Sequence, residues 1–264
     1  MGNIQILHDF FSPPEQIKRT VRIYTPDGYE QGDPGGNGEA DRPLPVLYVF
    51  DGQNIFAHPE SATYDTWCIN WTLEKLVAQG AIAPWIIVGI DHLDDRLAEY
   101  SSWIGGRANL CADFLVNHLK PYIDRTYRTR PEAPWTGVMG SSMGGLMTLY
   151  LGKTYPQVFG RIGCLSPALM WGDRYMFSLW DSSTHRWSRI LLYVGGAEQY
   201  SYSGVWLDYV PVTRDFYHHL KDLGYGDHEL QFRLAEGEIH HETGWQRQLP
   251  ALMPWLLADS AAST

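Results

Sequence analysis

The sequence predicts an α/β protein, a mostly parallel central sheet with helices on both faces, entered through antiparallel N-terminal strands. Three observations carry that expectation. Beyond residue 43, short apolar runs alternate with longer segments whose apolar residues recur at spacings of three and four, as crossover helices do. The short runs are predominantly apolar, the pattern of strands buried on both faces. Finally, "TGVMGSSMGGLMTLYLG" (136–152) places glycines and two serines where one such run meets a helical segment, as a sharp strand-to-helix turn requires.

Taken in order, "IQILHDF" and "KRTVRIYTP" read as the opening antiparallel strands, the first within residues 1–17, and "QGDPGGNGEADRP" (31–43) as an exposed Gly/Pro/Asp-rich loop. Buried strands follow at 45–50, 85–90, 135–140, 161–166, 189–195 and 230–235. Between them, "WTLEKLVAQG", "CADFLVNHLKPYIDRTY", "MGGLMTLYLGKTYP" and "VTRDFYHHLKDLGY" have the periodicity of amphipathic helices. "ETGWQRQLPALMPWLLAD" closes the chain as a helix interrupted by prolines, with a frayed tail at 259–264. With no linker or repeat in between, a single domain over 1–264 is expected.

Composition narrows the function. Against 20 basic residues stand 30 acidic ones, a formal charge of −10 that repels phosphate backbones and anionic membrane surfaces, so nucleic acid and membrane are not expected partners. Cys68, Cys111 and Cys164 lie far apart without a CxxC pair and read as buried free thiols rather than a disulfide or zinc framework. The N-terminus lacks a basic stretch followed by an apolar core, and no apolar run reaches the ~18 residues of a membrane span, so a soluble cytoplasmic protein is expected. No cofactor or metal is called for. Asp91, Asp94 and Asp95 fit no EF-hand spacing and read as solvated acids with a salt bridge to Arg96, while His240, His241 and Glu242 lack the i, i+4 spacing of a helical zinc site.

The chemistry-bearing pattern begins at Gly140-Ser141-Ser142-Met143-Gly144. Glycines on both sides of Ser142 relieve the crowding of a strained turn that would hold its Oγ above the sheet, and the Met143 N–H would point at the group Ser142 attacks. A serine hydroxyl needs a base to take its proton and a carboxylate to orient that base. The order serine, acid, histidine requires an acid after a later strand and a histidine after the last one. "EGEIHHETGW" supplies the histidine, with at most one of the adjacent His240 and His241 facing Ser142; His118, His218 and His219 fall in helical stretches and read as surface residues. Glu198, three residues beyond the strand ending at Gly195, is the chosen acid over Asp208 and Asp215. The second oxyanion donor should follow an earlier strand, where Asp51-Gly52-Gln53-Asn54 offers the N–H of Gln53 or of Gly52, with Asp51 capping the turn.

"DGQNIF", "GSSMGGLMTLYLGKTYPQVFGRIGCLSPAL", "GGAE" and "HHETGW", together with "RLAEYSSW", resemble the esterase D-like family of esterases, α/β-hydrolases that include enterochelin esterases and S-formylglutathione hydrolases. The likeness runs from about residue 18 to 257. It implies an α/β-hydrolase fold and a Ser-His-acid triad, and laying Glu242 and Trp245 on the family's His-x-Glu-x-x-x-Trp-like segment, here His-x-Glu-x-x-Trp, selects His240. The expected function is a serine carboxylic-ester hydrolase acting on a small-molecule ester through an acyl-enzyme, with Ser142, His240 and Glu198 as triad. Acyl transfer to an alcohol and a silent binding module remain as alternatives. Most of the eleven tryptophans read as packing residues, with Trp171, Trp67 and Trp103 as candidates for an aromatic-lined, lightly covered cleft.

Overall fold

A buried parallel strand must be apolar at every position, because successive side chains face opposite layers of helices. The computed structural model, which describes residues 2–29, 42–183, 188–202 and 204–258, realises this pattern. Apart from residues 42 and 43, the predicted loop at 31–43 lies outside the described residues, as does the tail at 259–264.

The strands are β1 (Asn3–Ser12), β2 (Ile17–Thr25), β3 (Val46–Phe50), β4 (Ile86–Ile90), β5 (Thr136–Ser141), β6 (Arg161–Leu165), β7 (Arg189–Gly195), β8 (Gln199–Tyr202), β9 (Val205–Asp208) and β10 (Leu230–Ala235). Among the described residues, eight form one sheet in the order β1-β2-β4-β3-β5-β6-β7-β10. β1 pairs with β2 and β2 with β4 antiparallel; the pairs from β4 through β3, β5, β6 and β7 to β10 are parallel. This is the α/β-hydrolase arrangement. β8 and β9 form a separate two-stranded hairpin absent from the sequence expectation. β1 ends at Ser12, short of residue 17, because a turn containing Pro13 and Pro14, with Gln16 at φ 56°, precedes β2.

The helices are α1 (Ile69–Ala78), α2 (Arg96–Glu99), α3 (Ala108–Asp113), α4 (Lys120–Thr126), α5 (Met143–Thr154), α6 (Trp171–Leu179), α7 (Tyr209–Asp222) and α8 (Glu242–Leu257). α3 runs through a π-helical stretch, Phe114–Leu119, into α4, replacing the single α-helix that the periodicity suggests. The alternation within β3 divides the core: Val46, Tyr48 and Phe50 join the cluster containing α3, α5 and α7, whereas Leu47 and Val49 join the cluster beneath α1 and α8. α8 is not interrupted by its prolines. Pro250 and Pro254 lie inside one helix whose Leu249, Leu252, Met253 and Leu256 are buried, so packing outweighs the lost backbone bonds. No helix among the described residues is long and apolar enough to cross a membrane.

Candidate active site

Ser142 stands where β5 ends and α5 begins, with φ 55° and ψ −120°, a backbone conformation that side chains rarely adopt. The turn is held by the Ser142 N–H on the Leu165 carbonyl (3.0 Å), and the Ser142 carbonyl accepts from Leu146 and Ala168 (3.1 and 3.0 Å). The flanking glycines answer a direct steric demand, since a Cβ on Gly140 would lie 2.5 Å from the Gly144 carbonyl carbon. Met143 follows as the first residue of α5, buried and facing the cleft, with its N–H in the helix's first turn.

Glu198 lies just beyond β7 and is fully buried. Its Oε1 accepts from the Ser166 hydroxyl at 2.6 Å and the Gly195 N–H at 2.8 Å, leaving Oε2 for His240 Nδ1 at 2.9 Å. Ser166, at the end of β6 with φ 46°, also accepts from Trp245 Nε1 at 3.0 Å. These bonds satisfy a buried carboxylate and direct one oxygen at the imidazole, the arrangement that fixes a histidine's tautomer and ring plane. His240 is further enclosed by rings: Tyr209 at 4.2 Å, Trp245 at 5.1 Å edge-on and Tyr200 at 5.7 Å between centroids.

The adjacent histidine turns elsewhere. His241 is the N-cap of α8, its Nδ1 accepting from the Thr243 N–H at 3.3 Å, and its side chain is 44% exposed. The structure thus joins Glu198 and His240 directly, and Tyr209, whose ring lies on the same imidazole, lines the cleft together with Ser142. A Ser142–His240 hydrogen bond is not among those formed by the described residues; such contacts are often long in unliganded hydrolases.

Gly52 and Gln53 form a 3₁₀ turn after β3, with Gly52 packed against the Gly89–Ile90 backbone of β4 and Gln53 Oε1 accepting from the His92 N–H (3.3 Å). Asp51 does not cap this turn with its side chain. Its carboxylate instead takes Arg96 in two 2.7 Å hydrogen bonds, and the same guanidinium reaches the Ser141 carbonyl at 3.3 Å. The expected partners of Arg96 therefore go elsewhere: Asp91 pairs with Arg22, while Asp95 caps α2 and meets Arg107. Within the "RLAEYSSW" segment, Glu99 is fully buried against Arg19, and the Asp51 N–H donates to the Tyr100 hydroxyl at 3.3 Å. Among the described residues, no cluster of His, Cys, Asp or Glu is placed to hold a metal. Cys111 and Cys164 are buried and burial pushes their thiols up, but Cys68 is only partly buried.

A cleft of about 550 Å³ opens beside Ser142, lined by Met143, Ala168, Met170, Trp171, Tyr200, Trp206 and Tyr209 among others. Of the three candidate aromatics, only Trp171 lines it. Trp67 is 1% exposed and packs on Trp245 in the core beneath α1 and α8, where no substrate can touch it. Trp103 stands behind the wall, its ring against Gly172 and Tyr175. The β8–β9 hairpin supplies Tyr200, Val205, Trp206 and Leu207 instead. Its signal was the alternation of "QYSYSGVWLD" around Ser-Gly, a hairpin pattern. Tyr200, Tyr209 and Ser166 carry no motif of their own and emerge only from packing.

A family model described as "Putative esterase" matches residues 14–256. The "Uncharacterized protein YbbA" of Bacillus subtilis (strain 168) is 24% identical over 257 residues, covering 93% of this chain and 95% of the relative. The "Iron(III) salmochelin esterase" of Escherichia coli O6:H1 is 26% identical over 158 residues, 58% of this chain, and the match spans 33% of that longer protein. A solved structure described as "ferulic acid esterase" superposes with a TM-score of 0.73 at 17% identity, covering 97% of each chain; it shares the fold.

Proposed function

The chain belongs to the "Putative esterase" family and is a carboxylic-ester hydrolase, and from that premise we propose that it works through a Ser142–His240–Glu198 triad and an acyl-enzyme. The observation that carries this reading is the fully buried Glu198 carboxylate, fixed at one oxygen by Ser166 and Gly195 and aimed with the other at His240 Nδ1 (2.9 Å), with Ser142 on its positive-φ turn nearby. Ser142 Oγ attacks the ester carbonyl while His240 Nε2 takes its proton. The oxyanion is received by the N–H groups of Met143 and Gln53. His240 returns the proton to the departing alcohol, then activates water, which releases the acid and regenerates Ser142.

The substrate is a small-molecule ester with an apolar or aromatic part. The cleft supports this through Trp171, Trp206, Met170 and Leu207 on its walls, and its lining cation, Arg96, is already engaged by Asp51. A panel of p-nitrophenyl acyl esters, acetylated sugars, and feruloyl and catecholate esters tests it. Hydrolysis of aryl or medium-chain esters above acetylated sugars is expected, and the reverse order would overturn the substrate assignment.

A further inference from the structure

The segment from Asp91 to Tyr100, between β4 and the end of α2, touches the turn after β3 at three places. The His92 N–H donates to Gln53 Oε1 (3.3 Å), Arg96 holds the Asp51 carboxylate, and the Tyr100 hydroxyl accepts from the Asp51 N–H (3.3 Å). Arg96 also reaches the Ser141 carbonyl, one residue before the nucleophile. The segment is itself fastened by Glu99. Glu99 Oε2 accepts from the Leu93 N–H at 2.7 Å, closing the segment on itself, and Oε1 accepts from Arg19 Nη2 on β2. The same Arg19 nitrogen donates to the Asp91 carbonyl at 3.1 Å, while Nη1 donates to both oxygens of Glu15 (3.1 and 2.9 Å). The side chains of Arg19 and Glu99 are both fully buried. Two charges taken out of water are a costly way to hold a fold, since well-packed apolar residues of similar volume often do so equally well. What apolar packing lacks is direction: this carboxylate fixes both ends of the segment that carries Arg96.

Resting on the triad reading above, we propose that Glu99 is a positioning residue for the oxyanion site, holding the 91–100 segment so that Arg96 spans Asp51 and the Ser141 carbonyl. Those two anchors lie beside Gln53 and Met143, whose N–H groups receive the oxyanion in that reading. Acylation and deacylation both pass through a tetrahedral oxyanion, so the positioning serves both steps. The donors act when charge gathers on the oxygen. A loosened frame therefore lowers kcat and leaves ground-state binding nearly unchanged. The distance of Glu99 from the reacting atoms is no obstacle, because misplacing a donor by about 1 Å from afar can cost about a hundredfold.

Two variants test it on p-nitrophenyl acetate, with competent sites counted by fluorophosphonate labelling of Ser142. Glu99→Gln keeps the shape of the side chain but has one carbonyl oxygen, so it cannot accept from both Leu93 and Arg19. Glu99→Asp keeps the charge beside Arg19 and is one methylene too short to serve both. Expected for each is a kcat lowered about tenfold, a KM within about twofold of wild type, and labelling that still approaches one per protein. Arg96→Lys and the double variant with Glu99→Gln complete a cycle. Because Glu99 acts through Arg96, the double variant should be within about twofold of Arg96→Lys in kcat. Losses that multiply in the double variant, or a wild-type kcat in either folded single variant, overturn the proposal. A loss of activity that matches a smaller labelled fraction, or failure of both single variants to fold, assigns Glu99 to stability alone and also overturns it. Wild-type protein that turns over the ester but never labels at Ser142 would instead defeat the triad reading.

Discussion

Arg96 grips Asp51 with two hydrogen bonds of 2.7 Å each and reaches the Ser141 carbonyl at 3.3 Å with the same guanidinium. One side chain thereby ties the turn after β3 to the last residue before Ser142, the two backbone segments proposed to supply the oxyanion donors. A lysine carries the same charge but cannot span both anchors. Arg96→Lys should therefore fold normally and lose about tenfold or more in kcat on a small acetyl ester, with KM little changed. Steady-state kinetics check this, and a wild-type kcat would show that the tie does not hold the oxyanion segments.

Ser166→Ala removes the 2.6 Å donor to Glu198 Oε1 and the acceptor of Trp245 Nε1. With the carboxylate less firmly fixed, its hold on His240 loosens. We expect kcat/KM to fall roughly tenfold to a hundredfold, and a melting temperature lowered by the loss of about 1–3 kcal/mol for an unsatisfied buried partner. Kinetics and calorimetry on the same preparation measure both. A stable, fully active variant would mean that Gly195 alone orients Glu198.

The neighbouring histidines separate cleanly in space, so their variants should separate in activity. His240→Ala removes the ring bonded to Glu198 and should be nearly inactive. His241→Ala removes a helix N-cap and should retain most of kcat/KM while losing about 1 kcal/mol of stability. An active His240→Ala beside a dead His241→Ala would reverse the assignment.

These positions also show what the sequence could and could not disclose. The apolar runs located the parallel strands to within a residue because β3, β4, β5, β6 and β7 are buried on both faces and leave little freedom in composition. The Gly-x-Ser-x-Gly turn was legible because backbone contact between Gly140 and Gly144 excludes other residues. Glu198 and His240 followed from chain order and family likeness, and geometry separates them from Asp208 and His241. The tryptophans were not legible. Trp67 and Trp206 look alike in sequence, yet one is 1% and the other 68% exposed, because Trp67 is packed beneath α1 and α8 whereas Trp206 stands on the exposed β8–β9 hairpin. Asp51–Arg96 and Tyr209–His240 likewise join residues distant in the chain, and single-residue spacing carries no record of such meetings.

That contrast yields a paired experiment. Trp206→Ala, at the cleft wall, should leave the melting temperature unchanged and raise KM severalfold for bulky apolar esters but little for acetate esters. Trp67→Ala should cost about 3–5 kcal/mol of stability by opening a cavity against Trp245, with no selective effect on large substrates. Urea titration and a chain-length series distinguish them, and a substrate-selective effect of Trp67→Ala would return it to the cleft.

The most direct test of the central claim is to trap the covalent intermediate. Protein quenched during turnover of a p-nitrophenyl ester, digested and mapped by mass spectrometry, should carry the acyl mass on the peptide containing Ser142 and nowhere else. Ser142→Ala should carry none and lose on the order of 10⁶-fold in kcat, whereas Ser141→Ala, which alters a buried strand residue with no assigned chemical task, should acylate at Ser142 and remain active. Acyl mass on Ser141 or another residue, or a Ser142→Ala protein that hydrolyses esters at near wild-type rate, would contradict the account.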